Sequence, residues 1–270
     1  MKQNIIMIII LVILFLFGLL IYDFSDELDK SVSDHNWYRI ENNELTVISF
    51  KNQVFSYYYV ETKKPVSLFE LCTSFRYNRS IKVIKLSCNI KENKLYVASV
   101  DDKKLTITIN GVENVFYINE SEAIKADFIK KNNLNEEQFG DLMNTSLSEF
   151  NTTTTDDVVN LFNAKKNQLV AFVTKELTIQ NALNLKALHN FISNTNTNVF
   201  VLDIDSLEAS EIEKFSEINI KISEIIKQAP NSISLYNIGN KKHELITGIE
   251  VKAFNEVDGY QIKEVYSETN

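Results

Sequence analysis

Two cysteines, three histidines and a pair of aspartates closing an apolar run are the residues of this 270-residue chain whose types suit chemistry. The histidines His35, His189 and His243 lie far apart, and none has a second ligand three or four residues away. No metal-ligating set is read from them. Asp203 and Asp205 end the run VFVLDID, where a cation could sit, although acids at a strand end are also ordinary structural residues. No glycine-rich phosphate loop and no Gly-x-Ser-x-Gly elbow occurs. The sequence therefore names no catalytic residue, no metal and no cofactor.

The cysteines read differently. Cys72 and Cys88 stand at equal distances from Ser80 in FELCTSFRYNRSIKVIKLSC, with apolar and polar residues alternating on both sides. That pattern is a β-hairpin about Asn78-Arg79-Ser80. Pairing about Ser80 sets the two cysteines directly opposite one another, close enough to form a disulfide. Two free buried thiols or a redox switch are the alternatives. An even count and an oxidising exterior favour a structural bridge.

The exterior is itself an expectation from sequence. Residues 5–22 (IIMIIILVILFLFGLLIY), from Ile5 to Tyr22, carry no charge. As a helix they would span roughly 27 Å, near the thickness of a bilayer core. Only Lys2 precedes the run, and Asp23, Asp26, Glu27 and Asp29 follow it. A single-pass membrane anchor is expected, with the N-terminus cytoplasmic and the bulk of the chain outside the cell. A cleaved signal peptide fits less well, because the run is long and no small-x-small site follows. The lipid bilayer is thus one expected partner. Nucleic acid is not: the net charge is −8, the pI is near 5.1, and no Lys/Arg patch stands out. The bias toward Ile, Asn and Lys, whose codons are AT-rich, suggests a low-GC Gram-positive bacterium.

The elements that must position these residues fall into four stretches: residues 1–28 as anchor, 35–118 all-β, 119–145 a helical connector, and 146–270 an α/β domain. From Trp37 to Ile118 short alternating runs are separated by turns, of which Asn110-Gly111 is the strongest hairpin signal. Seven or eight antiparallel strands in sequence order make a meander, expected to close as a small barrel or fold as a sandwich around its own side chains. Core packing is the expected role of Phe55 and the tyrosines after it. After the polar run Asn151–Thr155, helices alternate with the apolar strands LVAFVT and VFVLDI, followed by a hairpin near Gly239-Asn240 and a last helix. The expected fold class is α+β: a transmembrane helix, an antiparallel β-meander, then an α/β domain.

Residues 146–266 resemble the thioredoxin fold. The resemblance is carried by VAFVT leading into a helix, by VFVLDID, by Ala229-Pro230 before a strand, by Gly239 in a hairpin and by Gly248 before the last helix. In outline the chain is also similar to bacteriocin transport accessory proteins. The resemblance implies a cis Ala229–Pro230 bond facing Leu177-Thr178, and a peptide groove lined by Leu177, Thr178, Ala229, Pro230, Gly248 and Ile249. Yet Leu177-Thr178-Ile179-Gln180 holds no cysteine where the family has Cys-x-x-Cys, so thiol exchange is not carried over. The reading that follows is a non-catalytic module holding a protein or peptide partner at the membrane surface, by strand addition beside the proline. The alternative is an accessory role in thiol–disulfide metabolism or in bacteriocin export or immunity.

Overall fold

The computed structural model describes residues 24–25, 30–78, 81–88, 93–176, 178–229 and 231–269. The chain divides into two compact units, Met1–Lys130 and Lys131–Asn270.

The first unit is built from hairpins. Strands β1 (Phe24–Ser25), β2 (Asn36–Glu41), β3 (Glu44–Ser49), β4 (Ser56–Tyr59), β5 (Cys72–Asn78), β6 (Val83–Cys88), β7 (Asn93–Val100), β8 (Lys104–Ile109) and β9 (Val112–Tyr117) make one antiparallel sheet. Its order is β1-β5-β6-β7-β8-β9-β2-β3-β4. Two-residue turns join neighbours where asparagine tolerates positive φ: Asn42-Asn43 between β2 and β3, Asn110-Gly111 between β8 and β9. The sheet curls until its two ends nearly meet, with a lone bridge between Val54 and Ser74 and the Phe55 N–H donating to Thr73 O at 3.1 Å. Trp37, Ile48 and Tyr57 share one row facing inward and are buried with Phe50, Phe75, Leu105 and Phe116, so side chains fill the barrel. Trp37 Nε1 donates to Val32 O in the short helix α1 (Lys30–Ser33), which satisfies its one polar atom inside that core. The seam between β9 and β2 is short, a single pair Tyr38–Tyr117. Arg39 reaches along it to donate to Asn114 Oδ1 and lies 5.9 Å over the Phe116 ring. Helix α2 (Glu120–Lys131) adds Ala123, Ala126 and Lys130 to the lining of a cleft of about 240 Å³ there.

Cys72 and Cys88 are Cα partners in the β5–β6 ladder and form the expected disulfide. The rest of the hairpin pairs one residue out of the symmetry about Ser80 (Phe75 with Leu86, Tyr77 with Ile84), and a register shift between Cys72 and Ser74 brings the cysteines opposite one another.

The second unit holds helices α3 (Glu136–Met143), α4 (Thr155–Asn163), α5 (Ile179–Thr195), α6 (Ala209–Glu217), α7 (Ile222–Gln228) and α8 (Tyr260–Thr269). They flank a five-stranded sheet of β10 (Asn151–Thr152), β11 (Gln168–Val173), β12 (Val199–Asp203), β13 (Ile233–Gly239) and β14 (Lys242–Ile249), in the order β10-β12-β11-β13-β14. The first three run parallel; β13 and β14 are antiparallel to their neighbours. The central strand β11 is buried on both faces, which explains its unbroken apolar run. Val170 and Phe172 pack with Val158 of α4, Phe215 of α6 and Ile225 of α7. The alternate residues Leu169, Ala171 and Val173 point the other way, toward the face that α5 and α8 cover.

The structure corrects the expected fold class. The described chain is a mixed α/β protein with a nearly closed antiparallel barrel sheet, and among the described residues no helix is long and apolar enough to cross a membrane. The longest helix that an unbroken set of described residues forms, α5, has 17 residues and carries Gln180, Asn181, Asn184, Lys186, His189 and Asn190, a polar content no bilayer core accepts. The run from Ile5 to Tyr22 lies outside the described residues. The polar run after residue 150 is also more than a loop: Asn151 and Thr152 pair in parallel with Phe200 and Val201. Helix α4 then starts one residue earlier than expected, with Thr154 as N-cap accepting from the Asp157 N–H.

Two outcomes follow for the first unit. Replacing both cysteines with serine is expected to lower its unfolding free energy by roughly 3 kcal/mol, read from denaturant titration of oxidised wild type against variant. The Tyr57 hydroxyl is buried and donates to Glu41 Oε2 at 2.6 Å; burial first, then that carboxylate, holds its pKa well above the ordinary tyrosine value. A pKa raised in the fold adds stability that is whole below the unfolded value of about 10 and is lost as pH climbs beyond it. Tyr57→Phe should therefore flatten the fall in stability above that pH, measured as melting temperature against pH for both proteins.

Candidate functional site

The site expected from sequence lies where β11 hands over to α5. Thr178 caps the helix, its Oγ1 accepting from the Asn181 N–H at 3.0 Å. Just before it the chain is woven tight. Asp205 Oδ2 accepts from Thr174 Oγ1 at 2.6 Å and from the Lys175 N–H at 2.8 Å. The Glu176 N–H donates to Thr174 Oγ1, and Asn181 Nδ2 donates back to the carbonyls of Thr174 and Glu176 at 2.7 and 2.9 Å. Asp203 Oδ1 accepts from the Asp205 N–H, while its Oδ2 lies 3.2 Å from Lys175 Nζ. These acids thus anchor the turn after β11, and Asp203 also holds the Lys175 ammonium. No group of three or more ligating side chains occurs among the described residues. The histidines stand apart: His35 is edge-on to Trp37, His189 Nε2 is 3.6 Å from Glu149 Oε2, and His243 lies beside Phe162 and Tyr236.

Two segments remote in sequence converge on the first turns of α5, and one buried side chain holds both. Asn184 has no exposed surface. Its Nδ2 donates to Asn231 O at 2.9 Å, in the segment before β13, and its Oδ1 accepts from the Val251 N–H at 2.8 Å, just after β14. Gln180 Nε2 reinforces the same junction by donating to Asn184 Oδ1 and to Val251 O. Nothing in the sequence singled out Asn184, and Gln180 was placed only by the position of the missing Cys-x-x-Cys. The available signal was the pair Asn181 and Asn184 among Ala182, Leu185 and Leu188, amides on a stripe otherwise apolar.

The expected groove residues fall as follows. Thr178 stands at the convergence. Gly248 and Ile249 end β14, paired with Ser234 and Ile233, and Ile249 is buried. Gly248 and Ile249 also line a cleft of about 140 Å³ with Ala187 and Ile262. Ala229 is buried and its N–H donates to Ile225 O at 2.9 Å, so the donor that strand addition would use is taken up at the end of α7. Leu177 and Pro230 lie outside the described residues, and with them the expected cis bond. Both cysteines of the chain form the bridge in the first unit, so this end of the second unit has no thiol.

No protein-family model, no curated protein and no solved structure matches the chain.

Removing the junction is expected to show in stability. Asn184→Ala leaves the buried Val251 N–H without its acceptor and takes the donor from the Asn231 carbonyl, at a cost of about 1–3 kcal/mol in chemical denaturation. Hydrogen exchange at the Val251 amide should accelerate more than at the amides of β11. Equal acceleration at both would mean that Asn184 acts on the whole fold rather than on the junction.

Proposed function

We propose that the second unit is a non-catalytic binding module of the thioredoxin-like kind, which holds a protein or peptide partner at the cell surface. One observation carries the reading: a central parallel trio, β10-β12-β11, extended by antiparallel β13 and β14, with helices on both faces. That is the strand order of the thioredoxin arrangement, and the junction of β11 with α5 where such domains keep their cysteines here reads Leu177-Thr178-Ile179-Gln180. A turn locked by Asp203, Asp205 and Asn181 suits a rigid contact surface, because little side-chain freedom remains to be lost on binding. The disulfide of the first unit supports an extracytoplasmic address, since such bridges persist where thiols are not kept reduced.

The partner surface comprises Thr178, Asn231 and the chain after Ile249, which Asn184 keeps adjacent. With the Ala229 N–H engaged inside the helix end, side chains rather than an added strand make the contact.

A photo-crosslinking residue placed at Thr178 or Asn231 in intact cells should capture the same polypeptide, and one at the exposed Glu213 of α6 should not. The purified protein should leave the rate of insulin reduction by dithiothreitol unchanged. Equal capture from all three positions, or accelerated insulin reduction, would remove the reading.

A further inference from the structure

A further cleft lies beside the first turns of α5 and shares Asn181 and Asp203 with the locked turn after β11. It has a volume of about 540 Å³ and is walled by Met143 and Leu147 on one side and by Ala182 and Leu185 of α5 on the other, with Glu176 and Asp203 at its polar end. Its place in the fold is one where ligands gather. β11 and β12 are adjacent and parallel, but the chain leaves β11 into α5 on one face and leaves β12 toward α6 on the other. The crevice outside the carboxyl ends of two such strands, at the point where their connections part, is the general ligand position of open α/β sheets. The volume falls within the range of about 300–1,000 Å³ typical of small-molecule pockets.

Charge decides what kind of molecule fits. At this end of the sheet one cation, Lys175, stands among three acids: its ammonium pairs with Asp203, its backbone N–H donates to Asp205, and Glu176 follows it in the chain. The N-terminus of α5 adds only about half a positive charge, so the polar end stays negative. The Lys175 ammonium, on a side chain 60% exposed, already rests 3.2 Å from Asp203 Oδ2 and marks where a cation is held. It can swing into solvent and give up that place. We propose that the cleft binds a small apolar molecule carrying a primary amine, with the apolar body between Met143, Leu147 and Leu185 and the ammonium at Glu176 and Asp203.

The test uses the full chain, kept in solution with a mild non-ionic detergent, and three probes of one shape: 2-phenylethylamine, 2-phenylethanol and 3-phenylpropionate. Amide shifts in ¹⁵N spectra should move at residues 143–147 and 181–185 with the amine, which should bind at least tenfold tighter than the other two. The surface change Glu176→Lys should weaken the amine tenfold and strengthen the carboxylate, and Leu147→Trp should close the cleft to all three. Glu176→Lys decides the matter even if Leu147→Trp fails to fold. Shifts confined to other residues, no shifts with millimolar amine, or an order of probes untouched by Glu176→Lys would overturn the proposal.

Discussion

A carboxamide with no access to water must find every partner inside the protein, and in the second unit that constraint settles on Asn184. An unpaired amide in a core costs about 1–3 kcal/mol, so the chain around it is arranged to meet its needs. Asn231 and Val251 belong to two segments remote in sequence and Gln180 to the same helix, and each presents its polar group to the same side chain. The sheet orders the strands, but this amide orders the loops at their ends. The surface of those loops therefore derives its shape from a residue it does not display.

The first unit solves a different problem. A sheet of antiparallel hairpins has two edges, and exposed edges invite pairing with other chains. Here the edges turn toward each other, and the remaining gap is bridged at Val54 and Ser74. Inward side chains are large and aromatic, so the barrel is a core rather than a vessel. The polar exceptions, Arg39, Glu41 and Asn114, lie toward one end of the strands and are engaged by Asn114, Tyr57 and the Val112 carbonyl respectively.

What the sequence made legible was local. Asn110-Gly111 announces its turn because few residues accept two positive φ angles in succession. The Cys72–Cys88 pairing was legible from their even spacing about the turn, although the strands reach it through a register shift between Cys72 and Ser74 that no local pattern announced. LVAFVT and VFVLDI read as buried strands because both of their faces meet helices. What stayed hidden was long-range. Asn151 and Thr152 look like loop until Phe200 and Val201 offer them hydrogen bonds. Asp203 and Asp205 look like ligands until Thr174 and Lys175 come near enough to claim them. Asn184 shows its role only once residues 231 and 251 arrive beside it. An apolar run such as Ile5–Tyr22 announces a length and a polarity, and a long helix in the folded part is a different matter: α5 uses its length to carry amides.

The position of β1 has a mechanical meaning. Phe24 and Ser25 pair with Asn78 and Tyr77, so tension entering the chain from its N-terminal side reaches the barrel along the free edge of β5. Two residues of pairing unzip under little load, one hydrogen bond after another. Once β1 lets go, the load passes along the chain to α1 and β2, while the β5–β6 hairpin that it leaves is closed covalently at its open end by the bridge between Cys72 and Cys88. A pull strong enough to reach Cys72 along the chain cannot draw out the residues between the cysteines, because the load then passes through sulfur and bypasses the hairpin. The barrel would yield by releasing its edges while keeping the β5–β6 hairpin as a closed loop, ready to re-pair when the tension falls.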